Sequence, residues 1–190
     1  MRTFIALPLN EKLRQSLSAL QSELKTVSTG IRWVTPQNIH LTLLFLGDIS
    51  EDMVIPLSKT LDMVGNDNAP YAIDVSGIGF FGKARSPRVI WAGLHGELHH
   101  ITVMQEQIVA AVQAVGCQYD KKPFKPHLTI GRVRSASQVK DLVAAIDSKK
   151  NIPLGTLDIQ CVLLMKSDLT PQGPVHSVLH KSSLEATIRH

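Results

Sequence analysis

The spacing of apolar residues divides the chain into alternating helices and strands. Leucines at helical spacing follow Asn10, a preferred helix N-cap, and predict a helix over 11–27. Short apolar runs bounded by glycine, proline and polar residues predict strands, and the glycine-rich stretch 79–87 is predicted to be a loop. Further helices are predicted at 50–65, 97–115 and from 135 or 136 to 146. Strands are predicted within 1–8 and at 31–34, 39–46, 71–78, 88–94, 127–133, 157–165 and 175–184.

The order of these elements predicts the fold class. The first half contains a strand, a helix, a histidine-bearing strand and a helix. The second half contains a helix, a second histidine-bearing strand, a helix and further strands. Together they predict an α+β fold of two pseudo-symmetric lobes that face each other. Because no low-complexity linker interrupts the 190 residues, we expect residues 1–190 to form a single domain made of two intertwined lobes.

Composition excludes several classes of protein. Hydrophobic residues make up 44% of the chain and charged residues 19%, which excludes a disordered chain. No apolar run approaches a membrane span, and the apolar run within residues 1–8 is too short for a signal peptide, so we expect a soluble, cytoplasmic protein. The two cysteines predict buried free thiols rather than a disulfide framework. A net charge of +4 permits a phosphate-bearing partner without requiring one.

One short motif occurs twice, as His40-Leu41-Thr42-Leu43 and as His127-Leu128-Thr129-Ile130, each time after a proline-bearing turn. Residues i and i+2 of a strand share a face, so each copy offers an imidazole beside a hydroxyl and turns its apolar residues into the lobe. A single histidine on an apolar strand is more often a hydrogen-bonded core residue than a catalyst. Two copies at matching places favour a functional site.

Two imidazoles and two hydroxyls around one cleft suit in-line displacement at phosphorus. The ordinary pKa of histidine is near 6.5, so one ring can be neutral while the other is charged. A neutral imidazole can take a proton from water, and an imidazolium can give one to a leaving oxygen. Threonine hydroxyls can hold the non-bridging phosphate oxygens. A strained cyclic phosphodiester, whose leaving oxygen stays tethered, is an apt target.

The paired motifs resemble those of the two-histidine (2H) phosphoesterase superfamily. More closely, the chain is similar to the LigT-type RNA 2′,3′-cyclic phosphodiesterases, which are also called 2′-5′ RNA ligases. The similarity is not confined to the motifs, because four segments look like family segments in family order. They are residues 2–7, 38–47, 88–94 and 123–132, and they are distributed along most of the chain.

This resemblance implies two lobes, each an antiparallel sheet with helices packed outside it, around a central water-filled cleft, with no cofactor and no metal requirement. It implies hydrolysis of RNA 2′,3′-cyclic phosphate ends to 2′-phosphomonoesters, with 2′-5′ ligation as the reverse reaction. It makes His40 the proton donor and His127 the proton acceptor, an assignment that the sequence itself does not make, and Thr42 and Thr129 the phosphate ligands. Family members often carry an aromatic residue, commonly tyrosine, about where His176 stands, which puts in doubt a substrate contact from that strand.

Charged and aromatic residues near the second motif suggest how RNA would be bound. The guanidinium of Arg132 can clamp a phosphate, and Phe124 and Trp33 can stack on a base. Aromatic residues near strand ends are more often part of the core, and charged runs are usually solvated surface. The two basic clusters are Lys121, Lys122, Lys125, Arg132 and Arg134, and then Lys83, Arg85 and Arg88.

Two other functions fit the same residues. One is a non-catalytic module that binds RNA or nucleotides, although such a module would work as well with arginine in place of the histidines. The other is a phosphodiesterase that acts on a different cyclic or 2′-5′-linked nucleotide. We expect RNA ends as the partner, no membrane partner, and a monomer, since no apolar heptads are present. The spacing of the remaining histidines matches no zinc motif, so we interpret them as surface residues: His95, His99, His100, His176, His180 and His190.

Overall fold

A computed structural model of the chain describes residues 1–135, 137–171 and 173–186. Within these ranges the helices are α1 (Glu11–Lys25), α2 (Val54–Asn66), α3 (His99–Ala114) and α4 (Val139–Ser148). The strands are β1 (Arg2–Pro8), β2 (Ile31–Trp33), β3 (His40–Asp48), β4 (Tyr71–Lys83), β5 (Ser86–His95), β6 (Leu128–Val133), β7 (Pro153–Ile159), β8 (Cys161–Thr170) and β9 (Gly173–Ser183). Ala136, one of the two expected helix starts, and His190 lie outside the described residues.

The strands form one antiparallel sheet in the order β7-β4-β5-β6-β3-β1-β8-β9, with β2 paired to β6. The two central strands, β3 and β6, are joined within the described ranges by one residue pair, Leu41 with Leu128. We call β3-β1-β8-β9 the first lobe, and β7-β4-β5-β6 with β2 the second lobe. The predicted α+β fold of two antiparallel lobes is confirmed.

Helices cover the lobes, but the lobes are not the two halves of the chain. Helix α2 packs on β8 and β9 and helix α3 on β3, whereas α1 packs on β7 and α4 on β4. The first lobe therefore takes strands from both ends of the chain, and α1 crosses to the second lobe. Leu13 and Leu17 of α1 are buried there, as their helical spacing predicts. No helix in the described residues is both long and apolar enough to cross a membrane.

The prediction of a single strand at 157–165 was wrong. Strand β7 ends at Ile159 in the second lobe, and β8 begins at Cys161 in the first lobe. Buried and exposed residues alternate from Leu157 to Cys161, but Val162 directly after it is also buried, so the alternation changes phase at this point. That change of phase marks where the chain passes from one lobe to the other.

The prediction of a loop at 79–87 was also wrong, because β4 and β5 continue as a hairpin as far as the pair Lys83–Ser86. Gly79 lies opposite Trp91, and a Cβ atom on Gly79 would collide with the indole ring. This glycine makes room for an aromatic side chain within the sheet rather than breaking the strand. The extended hairpin also places Phe81 on a strand.

Matching bulges interrupt the two motif-bearing strands. In β6 the consecutive residues 130–131 are both buried and Arg132 is exposed; in β3 residues 43–44 are both buried and Phe45 is exposed. The registers with the neighbouring strands β5 and β1 shift at the same places. A bulge adds a residue and reverses the later alternation, so Arg132 shares a face with His127 instead of pointing away from it.

A buried glutamine holds the bulge of the second lobe against α1. Gln21 is 2% exposed, and its Nε2 donates to the carbonyl oxygens of Val34 at 2.7 Å and of Ile130, the bulged residue, at 2.8 Å. Buried carbonyl groups are costly to leave without a donor. Gln21 therefore links the helix to the strand that carries the second motif, and a polar residue on an apolar helix face was the available sequence signal.

We predict that Gln21→Leu lowers the free energy of unfolding by about 1–3 kcal/mol, because Val34 and Ile130 lose a buried donor. Urea denaturation followed by circular dichroism measures the change. The matched control is Gln15→Leu on the exposed face of the same helix, which should change stability by less than about 0.5 kcal/mol. Equal stability of the two variants would show that the buried amide does not support the bulge.

Candidate active site

The two motifs meet where the lobes join. Leu41 and Leu128 face each other across β3 and β6 and are fully buried. In an antiparallel pair, the residues on either side of such a pair lie across from each other on the opposite face. Those residues are four half-buried side chains, with His40 across from Thr129 and Thr42 across from His127. Because β3 and β6 pair only here among the described residues, these four side chains share one face of the sheet where the two lobes join, and we call this face the cleft.

The same hydrogen bond anchors both imidazoles. Nδ1 of His40 lies 2.7 Å from the carbonyl oxygen of Asn38, and Nδ1 of His127 lies 2.6 Å from that of Lys125. A carbonyl oxygen only accepts, so Nδ1 carries the hydrogen in both rings. The other ring nitrogen, Nε2, is then the one available for proton exchange. The turns before the two strands thus set the tautomer as well as the orientation of each ring.

His40 lies in a cluster of rings. Phe4 stacks on it at a centroid distance of 4.7 Å, and His176 stands edge-on at 5.3 Å. The pKa of His40 is lowered to about 4, chiefly by burial and also by the nearby His176 and Arg132, while the bond to the Asn38 carbonyl opposes this shift. In the ligand-free protein His40 is therefore neutral at neutral pH.

The neighbours of His127 are different. The ring of Phe81 meets it edge-on at 4.9 Å, and Phe81 in turn lies 5.6 Å from Trp91, the residue of β5 that pairs with Thr129. The two histidines thus stand on matching strands with unmatched surroundings. The sequence prediction missed Phe81 because its segment was interpreted as a loop.

Two guanidinium groups lie at the His40 end of the cleft. Arg132 is exposed, and its positive charge acts on His40 across the cleft. Arg32 pairs with Arg132 in the register of β2 and β6, and its guanidinium packs where a side chain on Gly173 would be. The sequence pointed to Arg132, but not to Arg32, since nothing in the pattern of β2 places its side chain beside the first motif.

Phe124 and Trp33, the expected base-stacking residues, lie elsewhere. Phe124 packs against the core and lines a pocket of about 270 Å³ with α3 residues such as Val109. Trp33 packs on the backbone at Gly131. Their placement lends no support to base stacking. The same pocket is lined by Lys121 and Lys122 of the first basic cluster.

The remaining histidines in the described residues fall into different surroundings. His176 belongs to the ring cluster at His40, whereas Nε2 of His180 donates to a carboxylate oxygen of Asp62 on α2 at 2.7 Å. Across residues 1–135, 137–171 and 173–186, no group of three or more histidine, cysteine, aspartate or glutamate side chains is arranged to hold a metal ion.

Comparison with known proteins places this geometry in a family. The family model described as LigT-like phosphoesterase matches residues 7–91 and 96–176. An RNA 2′,3′-cyclic phosphodiesterase of Archaeoglobus fulgidus is 34% identical over 180 residues, which cover 94% of this chain and 98% of that protein. The protein of the same name from Thermotoga maritima is 31% identical over 186 residues, which cover 97% and 96%.

Solved structures agree with this comparison. The crystal structure of TT0787 of Thermus thermophilus is similar with a TM-score of 0.79 and 29% identity, covering 97% of this chain and 98% of that one. Escherichia coli LigT in its apo form shares the fold, with a TM-score of 0.76, 19% identity and the same coverage. By the family match and by its relatives, this chain belongs to the LigT-like phosphoesterase family.

Proposed function

We propose that this protein is an RNA 2′,3′-cyclic phosphodiesterase, which hydrolyses cyclic phosphate ends of RNA to 2′-phosphomonoesters. The observation that carries the proposal is the matched pair of Nδ1-anchored imidazoles, each with a threonine hydroxyl across the strand pair, at the base of one cleft. The names of the relatives at 34% and 31% identity support the same reaction.

Thr42 and Thr129 bind the phosphate in this proposal. Their hydroxyls donate to the non-bridging oxygens from the two central strands, so the phosphorus lies between His40 and His127. The guanidinium of Arg132 adds positive charge as negative charge develops on the phosphoryl group. Because the hydroxyls project from paired strands, little reorganisation is needed when the substrate binds.

The two imidazoles then move two protons. Following the resemblance to the family, Nε2 of His127 takes a proton from water as its oxygen bonds to phosphorus, and His40 gives a proton to the departing 3′-oxygen as the P–O bond breaks. His127 ends protonated and His40 neutral, and exchange with solvent restores both. With a 5′-hydroxyl in place of water, the same ring-opening displacement forms a 2′-5′ linkage and leaves a free 3′-hydroxyl.

The neutral state of His40 in the ligand-free protein fits this role if the substrate supplies the charge that favours protonation. A bound cyclic phosphate is an anion, and an anion beside an imidazole raises its pKa by favouring the charged form. Without such an anion, burial, His176 and Arg132 keep the pKa of His40 low. His40 would therefore acquire its proton together with the substrate and stay neutral when no phosphate is bound.

Partner and location complete the proposal. The substrate partner is an RNA or oligonucleotide end that carries a 2′,3′-cyclic phosphate. A monomeric state and a cytoplasmic location stay predictions from the sequence. A binding module without turnover and a phosphodiesterase for another cyclic or 2′-5′-linked nucleotide are separated from the proposed enzyme by substrate assays.

We predict that His40→Ala and His127→Ala each lower kcat on a dinucleotide 2′,3′-cyclic phosphate by roughly 10²- to 10⁴-fold, because each removes one proton-transfer group. The double variant should be much less impaired than the product of the two effects. Chromatography of the products measures turnover, and His99→Ala, at the exposed start of α3, is the control. Unchanged turnover in either variant would contradict the mechanism, and turnover of another nucleotide alone would redefine the substrate.

We predict that Arg132→Gln lowers kcat/KM by roughly 10- to 100-fold, because a charge near the phosphate is lost, and that it weakens the dependence of KM on salt. Steady-state kinetics at salt concentrations from about 50 to about 200 mM measure both effects, since screening of phosphate contacts changes strongly over that range. Arg85→Gln, in the exposed turn of the β4–β5 hairpin, is the matched control. Equal losses of kcat/KM in the two variants would show that Arg132 acts only through the overall surface charge and does not contact the phosphate.

A further inference from the structure

The two catalytic strands match, but their ring neighbours do not. His127 has a phenyl ring, that of Phe81, at its edge, whereas His40 has a second imidazole, that of His176. The His176 ring lies 5.3 Å from that of His40 and 5.0 Å from that of Phe4, so the three rings form a closed cluster. Among the described residues, a titratable ring therefore contacts His40 and none contacts His127.

Two contacts fix the start of β9, which carries His176, beside His40. Nδ2 of Asn38 donates to the carbonyl oxygen of Pro174 at 2.9 Å, while the carbonyl oxygen of the same asparagine holds Nδ1 of His40 at 2.7 Å. The guanidinium of Arg32 packs on Gly173. One residue thus connects the catalytic ring to the strand of its neighbour, so the relative placement of the two imidazoles is set by hydrogen bonds.

The surroundings of His176 restrict its charge. Its Nδ1 is buried and has no hydrogen-bond partner among the described residues. A protonated ring would leave an N–H group at this atom without an acceptor, which disfavours the charged form. Burial accordingly lowers the pKa of His176. A charge on His176 in turn opposes a charge on His40, since the rings are in contact.

The other charged groups around His40 and His176 are on strands β6, β2 and β8. Arg132 of β6 acts on His40 from across the cleft, and Arg32 of β2 lies beside the start of β9. On β8, Ser167 pairs with His176 in the register, while Lys166 and Asp168 on either side of it alternate to the opposite face of the strand, where they form an ion pair of 3.0 Å. These residues include no acidic group left to stabilise a second imidazolium at this end of the cleft.

We propose that His176 is a positioning residue that acts through His40: the two rings accommodate a single proton between them, and His176 thereby sets when His40 becomes charged. The inference deepens the proposed function and rests on it for the catalytic role of His40. A phenyl ring at position 176 would keep the packing against Phe4 and His40 and remove the competing site for the proton.

The test is an NMR titration of the His40 Cε1–H signal in the full-length protein, wild type and His176→Phe. We expect the midpoint of His40 to move to higher pH by roughly one unit in the variant, since a neighbouring charge is no longer possible. The His176→Tyr variant should shift the His40 midpoint in the same direction, so the test can still be made if the first variant folds poorly. His99→Phe, on α3, is the control and should leave the midpoint unchanged.

A midpoint of His40 that stays at the wild-type value in both His176 variants would overturn the inference, because a ring that only fills space would leave it there. The acidic limb of kcat/KM should move with the NMR midpoint. The titration needs no substrate, so it stands apart from the proposed function: a wild-type protein that fails to hydrolyse cyclic phosphate ends would overturn that function, whereas an unmoved midpoint with hydrolysis intact would overturn the inference alone.

Discussion

The pairing of Leu41 with Leu128 is the contact on which the site depends. It joins the two lobes, it sets the register of β3 against β6, and it places each histidine across from the threonine of the other motif. Both leucines are fully buried, so the apolar core that stabilises the lobes also fixes the geometry of the candidate site. A shift of one residue in either strand would turn the histidine and the threonine of that strand away from the cleft.

Strands β3 and β6 resemble each other, but the residues around their histidines differ. Each motif carries the same Nδ1 anchor and the same bulge, but the positions after the two bulges are Phe45 and Arg132. The ring clusters differ in the same way, with an imidazole beside His40 and a phenyl ring beside His127. A reaction that needs one acid and one base requires such a difference, because identical surroundings would give both histidines the same preference for the proton.

Local patterns in the sequence were sufficient for part of this description. The leucine spacing of α1 and the motif alternation depend on neighbours within a few residues, so helix, strands and the faces of His40 and His127 could be predicted. The repeated motif, together with the family resemblance, was enough to predict that His40 and His127 lie on strands that meet, and the pairing of β3 with β6 shows this.

The features of the site that the sequence did not predict depend on contacts between distant segments of the chain. Strict alternation would have pointed Arg132 away from His127, and only the bulge, which Gln21 of α1 supports, brings it to the cleft. The position of Phe81 required a strand that continues through Gly79. The ring cluster of His176 required the start of β9, which is separated from β3 by β1 and β8 in the sheet, to contact Asn38 and His40. The phase change at Val162 was a readable signal of the crossing between lobes that the strand prediction overlooked.

The central claim is that one imidazole activates water for attack on the phosphorus while the other protonates the leaving 3′-oxygen. Its most direct test is hydrolysis of an RNA dinucleotide 2′,3′-cyclic phosphate in ¹⁸O-labelled water, followed by ³¹P NMR. We predict a single product, the 2′-phosphomonoester, with one ¹⁸O atom on phosphorus. A 3′-phosphomonoester, a product without the label, or no product at all would contradict it.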